Sequence, residues 1–288
     1  MSGFTNFDRQ YRLIIGKSNN NADEIGETNE KQPVPLHISF NCEKSDKEAK
    51  NTGKISIWNL SPEHEAVLND KDCNISLRAG YGKNLALMFA GTVSFASTVQ
   101  DGADRKTSIE VVDSLVPLRD TYVSLNYKGK VNWKQILDET AAQLGIAVVY
   151  SYNATFVEVN NFSYVGMGKN VLSKGCSCCG LEWNIQNGIL HIKKPGGVMS
   201  RECYVLNPKT GLLGSPTRVI VEEDKNAGTK TLGWDIEYFM NGAIGVDDYV
   251  KLESDMAEGF FRVKSVRIEG DNINGDWICN ARLLEVTL

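Results

Sequence analysis

Apolar residues recur at every second position through the first and last thirds of this chain, and a period of two restricts those thirds to β-strands with one buried and one wet face. Asn74–Tyr81 carries Ile75, Leu77 and Ala79 in alternation, Gly53–Asn59 carries Ile55 and Ile57, and Pro35–Cys42 carries Leu36, Ile38 and Phe40. Arg9–Gly16 repeats the pattern loosely through Tyr11, Leu13 and Ile15, and Leu85–Phe95 and Thr107–Val112 answer the Asn74–Tyr81 strand. A hairpin closed by the charged loop Glu43–Thr52 fits the second and third of these segments. The last third offers Thr217–Glu222, Thr231–Phe239, Asp248–Glu253, Gly259–Glu269 and Asp276–Thr287, separated by turns rich in Gly, Asn and Asp. Leu206–Pro216, with Gly211 and Gly214, reads as the lead-in to them.

Helical spacing breaks this pattern in the middle of the chain. Trp133, Ile136, Leu137, Thr140, Ala141 and Leu144 make one apolar stripe over Asn132–Leu144, and Gly145 follows as a natural stop. A second helix is expected over Lys169–Cys179, closed by Gly180, followed by a small hairpin of Leu181–Trp183 and Ile189–Ile192 around Gln186-Asn187-Gly188. Near the start, Ser61-Pro62-Glu63 supplies a cap, a first-turn proline and an acidic first turn for a short helix ending about Leu68. The expected fold is therefore mainly β with an α+β insert: a first β domain over 1–118, the insert over 119–200 and a second β domain over 201–288. Lys17–Gln32 is rich in Asn, Asp and Glu with almost nothing to bury, and is expected to be a long exposed loop, a candidate arm toward a neighbouring subunit.

Composition removes several functional classes. Lys plus Arg number 31 against 36 Asp plus Glu, a net charge of −5, which lacks the basic surplus that phosphate-backbone binding needs, so stable nucleic-acid binding is not expected. No apolar run approaches the ~18 residues that would span a bilayer, and Met1-Ser2-Gly3-Phe4 opens no secretory signal, so neither membrane insertion nor general secretory export is expected. The seven cysteines, an odd number, then read as thiols in a reducing cytosol, and the Asn-x-Ser/Thr sequons as unmodified.

Few residues suggest catalysis. Cys176, Cys178 and Cys179 form a thiol cluster, but zinc sites draw on two separated cysteine pairs and only one exists here; Leu172, Gly175, Cys176 and Cys179 instead share a helix face as a small apolar stripe. The histidines are only His37, His64 and His191. Gly80-Tyr81-Gly82-Lys83 lacks the spacing of a phosphate loop and reads as a turn. No catalytic, cofactor-binding or metal-binding residue is assigned, and no cofactor is expected.

The ordered set Ile55-Ser56-Ile57-Trp58-Asn59-Leu60-Ser61-Pro62, Ile75-Ser76-Leu77-Arg78-Ala79-Gly80-Tyr81, Phe89-Ala90-Gly91-Thr92-Val93 and Ile109-Glu110-Val111-Val112-Asp113 resembles the first tube-like domain of contractile-phage tail hub proteins. Ile136-Leu137, Gly180-Leu181-Glu182-Trp183, Leu212-Leu213-Gly214-Ser215-Pro216-Thr217, Gly259-Phe260-Phe261-Arg262-Val263 and Gly275-Asp276-Trp277 look like the remainder of such hubs, so the resemblance spans about residues 9–288. It implies two tail-tube-like β-barrel domains on one chain. Three chains would then present six such domains, a homotrimeric adaptor between a hexameric tail tube protein and a trimeric central spike protein, with other baseplate proteins as neighbours. The particle would be a virion or a phage-tail-like particle such as a bacteriocin, assembled in the host bacterial cytoplasm. The alternatives are a tube-initiator or distal tail protein of hexameric symmetry, and a cell-wall or peptide hydrolase of a tail tip using a Cys179/His191 or paired-carboxylate site. Tyr81 and Phe260, aromatics in turns, are the interface positions the sequence offers, with barrel core as the competing assignment.

Overall fold

The computed structural model describes residues 8–17, 20–26, 35–47, 51–113, 121–224 and 229–286. Strand β1 (Arg9–Lys17) buries Tyr11, Leu13 and Ile15 and pairs antiparallel with β2 (Asn20–Ile25). This corrects the expected loop over Lys17–Gln32: its middle is a strand, Ile25 is buried, and Glu24 pairs with Arg12. Ladder hydrogen bonds to β1 need no apolar side chains, and a polar sequence is what an edge strand tolerates best. Residues 18–19 and 27–32 of that segment lie outside the described residues.

Strands β3 (Ile38–Ser45) and β4 (Thr52–Trp58) form the expected hairpin, followed by helix α1 (Pro62–Leu68), whose cap Ser61 accepts the His64 N–H at 3.3 Å. Next come β5 (Asn74–Tyr81), β6 (Asn84–Asp101) and β7 (Asp104–Val112). The 18-residue β6 outruns its apolar pattern because it serves two neighbours in turn, β5 with its first half and β7 with its second.

The insert contains β8 (Tyr122–Asn126), β9 (Lys130–Asn132), α2 (Trp133–Leu144), β10 (Ala147–Tyr150), β11 (Glu158–Asn160), β12 (Ser163–Met167), α3 (Gly168–Cys178), β13 (Glu182–Gln186) and β14 (Ile189–Lys193). Both helices lie where their stripes placed them. Asn132 caps α2 by accepting the Lys134 N–H at 2.8 Å, and Gly145 ends it at φ 71°, a conformation open to glycine at little cost. Asn187 (φ 53°) and Gly188 (φ 80°) make the two-residue turn between β13 and β14. The short strands β8 to β12 escaped the sequence reading because three to five residues carry too little alternation to register.

The last third adds β15 (Cys203–Leu206), β16 (Leu212–Asp224), β17 (Thr229–Phe239), β18 (Tyr249–Glu253), β19 (Glu258–Asp271) and β20 (Trp277–Glu285). The expected lead-in is partly strand: β16 begins at Leu212, and Pro216 falls where its ladder to β17 is interrupted between Leu213 and Thr217, so the missing N–H breaks no pair.

One sheet runs β16-β17-β20-β19-β3-β4-β7-β6-β5-β1-β2, with β18 and then β15 branching from β19. The seam between the chain's two ends is the antiparallel pair β19–β3, running from Ser265 opposite Ser45 to Asp271 opposite Ser39. Its tightest point is Gly270, which lies under the Phe40 ring: a Cβ there would stand 2.1 Å from the ring. A single apolar cluster continues across this seam, from Ile55, Leu77 and Phe89 to Val263, Ile268 and Leu283. The insert keeps two clusters of its own, around Leu172, Trp183 and Leu190 and around Val123, Trp133 and Val171.

Candidate assembly surface

Alternation along each strand leaves the second face of the large sheet hydrophilic, and the strand register aligns its side chains in rows. Ser39, Ser56, Ser108 and Ser97 stand opposite one another on β3, β4, β7 and β6. The adjacent row reads Glu269, Asn41, Lys54 and Glu110 across β19, β3, β4 and β7, with Asn41 donating to Glu269 at 3.1 Å and Lys54 3.9 Å from Glu110. On β20, Arg282 grips Asp235 of β17 with two bonds of 2.7 and 2.8 Å. A shallow groove of about 960 Å³ lies on this face, lined by residues that include Glu43, Asp235, Arg267 and Glu269. Acids outnumber bases on this face: Glu43, Asp235, Glu237 and Glu269 line the groove against Arg267 and Arg282.

Among the described residues the main sheet path ends at β16 and β2, and the branch through β18 ends at β15, each paired on one side only. Beside the first, Ile220 of β16 stands opposite Leu232 of β17, and the two are 50% and 42% exposed. The long β6–β7 hairpin likewise leaves Phe95 and Val99 in water. Sequence reasoning missed all four, since a strand pattern marks which residues share a face but not which strand lies at the rim. Of the two aromatics it offered, Tyr81 packs partly against the main core, with its hydroxyl 3.4 Å from the Trp277 carbonyl. Phe260 is exposed and stacks on Tyr249 at 5.4 Å.

The thiol cluster divides as a helix stripe dictates: Cys176 is buried in the insert, Cys179 is half-buried and Cys178 is exposed. Cys179 packs against the insert's apolar clusters, whereas His191 faces a polar layer beneath the insert, so the two occupy different environments. His37 stacks on Trp58 at 3.9 Å with Nε2 3.0 Å from the Asp271 carboxylate, and His64 lies in the first turn of α1. Among the described residues no three His, Cys, Asp or Glu side chains gather as metal ligands, and no helix is long and apolar enough to cross a membrane.

That polar layer joins the insert to the sheet. The Asp113 carboxylate, at the end of β7, accepts the N–H groups of Asn187 and Gly188 at 2.6 and 2.9 Å. Asn51 donates to the Ile185 carbonyl at 2.8 Å, and Gln186 to the Ser45 carbonyl at 2.8 Å. Asp247, fully buried just before β18, accepts from Asn184 and Arg262 at 2.7 Å each and lies 3.3 Å from the Lys193 ammonium. Arg262 also reaches Asp46 at 2.7 Å, and Lys193 also pairs with Glu182.

Asp248, the next residue, behaves differently. Burial and then the neighbouring Asp247 charge push its carboxyl up to about 6, against the pull of the Gly245 N–H at 2.7 Å. The folded chain thus holds a proton at pH values where the unfolded chain has released it, so this group costs stability above pH 6 and the cost fades as pH falls toward 4. Asp248→Asn, which keeps an acceptor for Gly245, should raise stability by roughly 1–3 kcal/mol at pH 7.5 and by almost nothing at pH 4. Urea unfolding of both chains at the two pH values reads the difference directly.

No sequence-family profile matches the chain, and no curated protein matches it in sequence. Solved structures do match in fold. A tail protein from Neisseria meningitidis MC58 superposes with a TM-score of 0.63 at 11% identity, over 96% of this chain and 97% of that one. A 43 kDa tail protein of prophage MuSo2 from Shewanella oneidensis gives 0.64 at 8% identity, over 96% and 98%. An Escherichia coli component of the type VI secretion system, itself structurally similar to the T4 bacteriophage tail proteins gp27 and gp5, gives 0.60 at 10% identity, over 88% and 74%. The chain therefore has the mainly β fold of phage tail proteins and of their type VI secretion counterparts, the fold that its resemblance to tail hubs implied.

Proposed function

We propose that the chain is a structural hub of a contractile tail baseplate, in a virion or a related particle, with no catalytic role of its own. Three copies close a ring in which residues 1–118 and 201–288 of each chain act as two tube-like units, giving six units against a hexameric tube and three chains against a trimeric spike. The observation that carries this reading is the sheet that crosses from the first third to the last at β3–β19 and whose main path, among the described residues, ends at β16 and β2 with one side of each unpaired. An open edge in a soluble particle needs a partner, and in a closed ring the β16 edge of one chain meets the β2 side of the next. The polar face, on which acids outnumber bases, then lines the ring, so that a polyanion passes without adhering.

Light scattering of the purified chain, alone and with its spike partner, tests the reading. A species of three times the 31.8 kDa chain mass is expected. A hexamer would favour a tube-initiator role, and a monomer in both samples would overturn the ring. Ile220→Asp places a charge on the exposed rim beside the β16 edge and should shift the trimer to monomer while leaving the circular dichroism spectrum of the fold unchanged.

A further inference from the structure

The apolar clusters of the insert do not merge with that of the sheet, and the polar layer between them contains one buried group with no partner, Nδ1 of His191. We infer that the insert is a separable module, latched to the sheet around His191, and that protonation of this histidine releases it. An apolar interface would hold at any pH, whereas one made of ion pairs and hydrogen bonds depends on every member keeping its charge state.

The surroundings of His191 set the direction. It lies on β14, opposite Asn184 on β13. The charged groups acting on it are Asp247 from the turn before β18, Asp113 from the end of β7 and Lys193 from its own strand. Behind these stand Arg262 and Asp248 beside Asp247, Asp46 on the other side of Arg262, Glu182 on Lys193, and the buried Lys44 near Asp113; Asp248 also loses its charge as pH falls through about 6, a change that substitution of His191 leaves in place. The two carboxylates that attract a proton are thus already engaged by Arg262, Lys193, Asn184 and the Asn187 and Gly188 N–H groups. A further positive charge at His191 enters a layer already held by cations. Burial lowers the affinity of the imidazole for a proton, and the repulsion from Lys193 acts in the same sense, outweighing the two carboxylates.

A histidine whose folded affinity is depressed stabilises the docked state fully above its unfolded value of about 6.5, and that contribution is lost as pH falls below it. For a docked state that resists protonation, the undocked population rises about tenfold between pH 7.5 and 5.5. Hydrogen exchange followed by mass spectrometry, with rates corrected for the intrinsic pH dependence, reads this on peptides covering 182–193, with peptides covering 52–58 as the internal reference for the sheet. In the wild type, protection of 182–193 should fall about tenfold relative to 52–58, and His191→Gln should abolish that pH response. His191→Asn serves as a second non-titrating variant should the first fold poorly. Constant relative protection in the wild type, equal loss in both regions, or an undiminished pH response in the variants would each overturn the latch.

Discussion

Gly270→Val should abolish or nearly abolish stable folding, although a β-branched residue inside a strand ordinarily helps. Strand propensity alone gives valine the advantage over glycine. Packing decides otherwise, because a Cβ at this position would lie 2.1 Å from one carbon of the Phe40 ring and within 2.6 Å of two others. Phe40 is itself buried, opposite Gly270 on β3 and edge-on to Trp277 at 5.4 Å, so the ring has no free space to enter. Evicting a phenylalanine costs about 3–5 kcal/mol, and the overpacking that remains adds about 1–3. Against the ~5–15 kcal/mol of total stability usual for a domain, that sum leaves little or nothing. The chemical denaturation midpoint of Gly270→Val, Phe40→Ala and the double variant forms a cycle. Removal of the ring should recover at least ~2 kcal/mol of the valine's cost, and strict additivity would show that the seam contact is not the cause.

Asp247→Asn should cost about 3–5 kcal/mol, the usual penalty for breaking a buried ion pair from one side. The substitution is nearly isosteric, and asparagine tolerates the φ of 69° found there, so shape and backbone are preserved and only the charge is lost. Arg262 at 2.7 Å and Lys193 at 3.3 Å then face an amide in a site without water access, and Asn184 loses an ionised acceptor. For a domain of 150–250 residues the loss corresponds to a fall in Tm on the order of 10 °C, measurable by calorimetry. The same chemical change one residue later, in Asp248→Asn, is expected to stabilise at neutral pH. Adjacent aspartates with opposite responses would show that pairing, rather than burial, decides whether a buried carboxylate helps. Equal responses would count against both assignments.

Much of the fold was legible because it rests on short-range patterns. The alternation of Ile75, Leu77 and Ala79, the Asn132–Leu144 stripe with its glycine stop and the Ser61-Pro62 cap all give the structure they imply. The cysteines of α3 sort by helix position, buried at Cys176 and exposed at Cys178. Asn20–Ile25 reads as loop in the sequence because an edge strand takes its hydrogen bonds from β1 and here adds only Ile25 to the core, too little to show a period.

The assembly surface was far less legible. Phe260 was named for its aromaticity and is exposed, yet nothing in the sequence set it apart from Tyr81, which packs against the core. Ile220 and Leu232 look like any other strand residues until the ladder shows that β16 has no outer neighbour among the described residues. The bonds from Asn51 to Ile185 and from Gln186 to Ser45 join positions more than 130 residues apart. By itself the sequence determined the longer strands and the helices and which of their faces are apolar, because both follow from side-chain period and local caps. Tertiary structure alone decided that β3 joins β19, which edges stay open and which polar residues meet beneath the insert, because those outcomes depend on strand pairings between distant segments that no local pattern encodes.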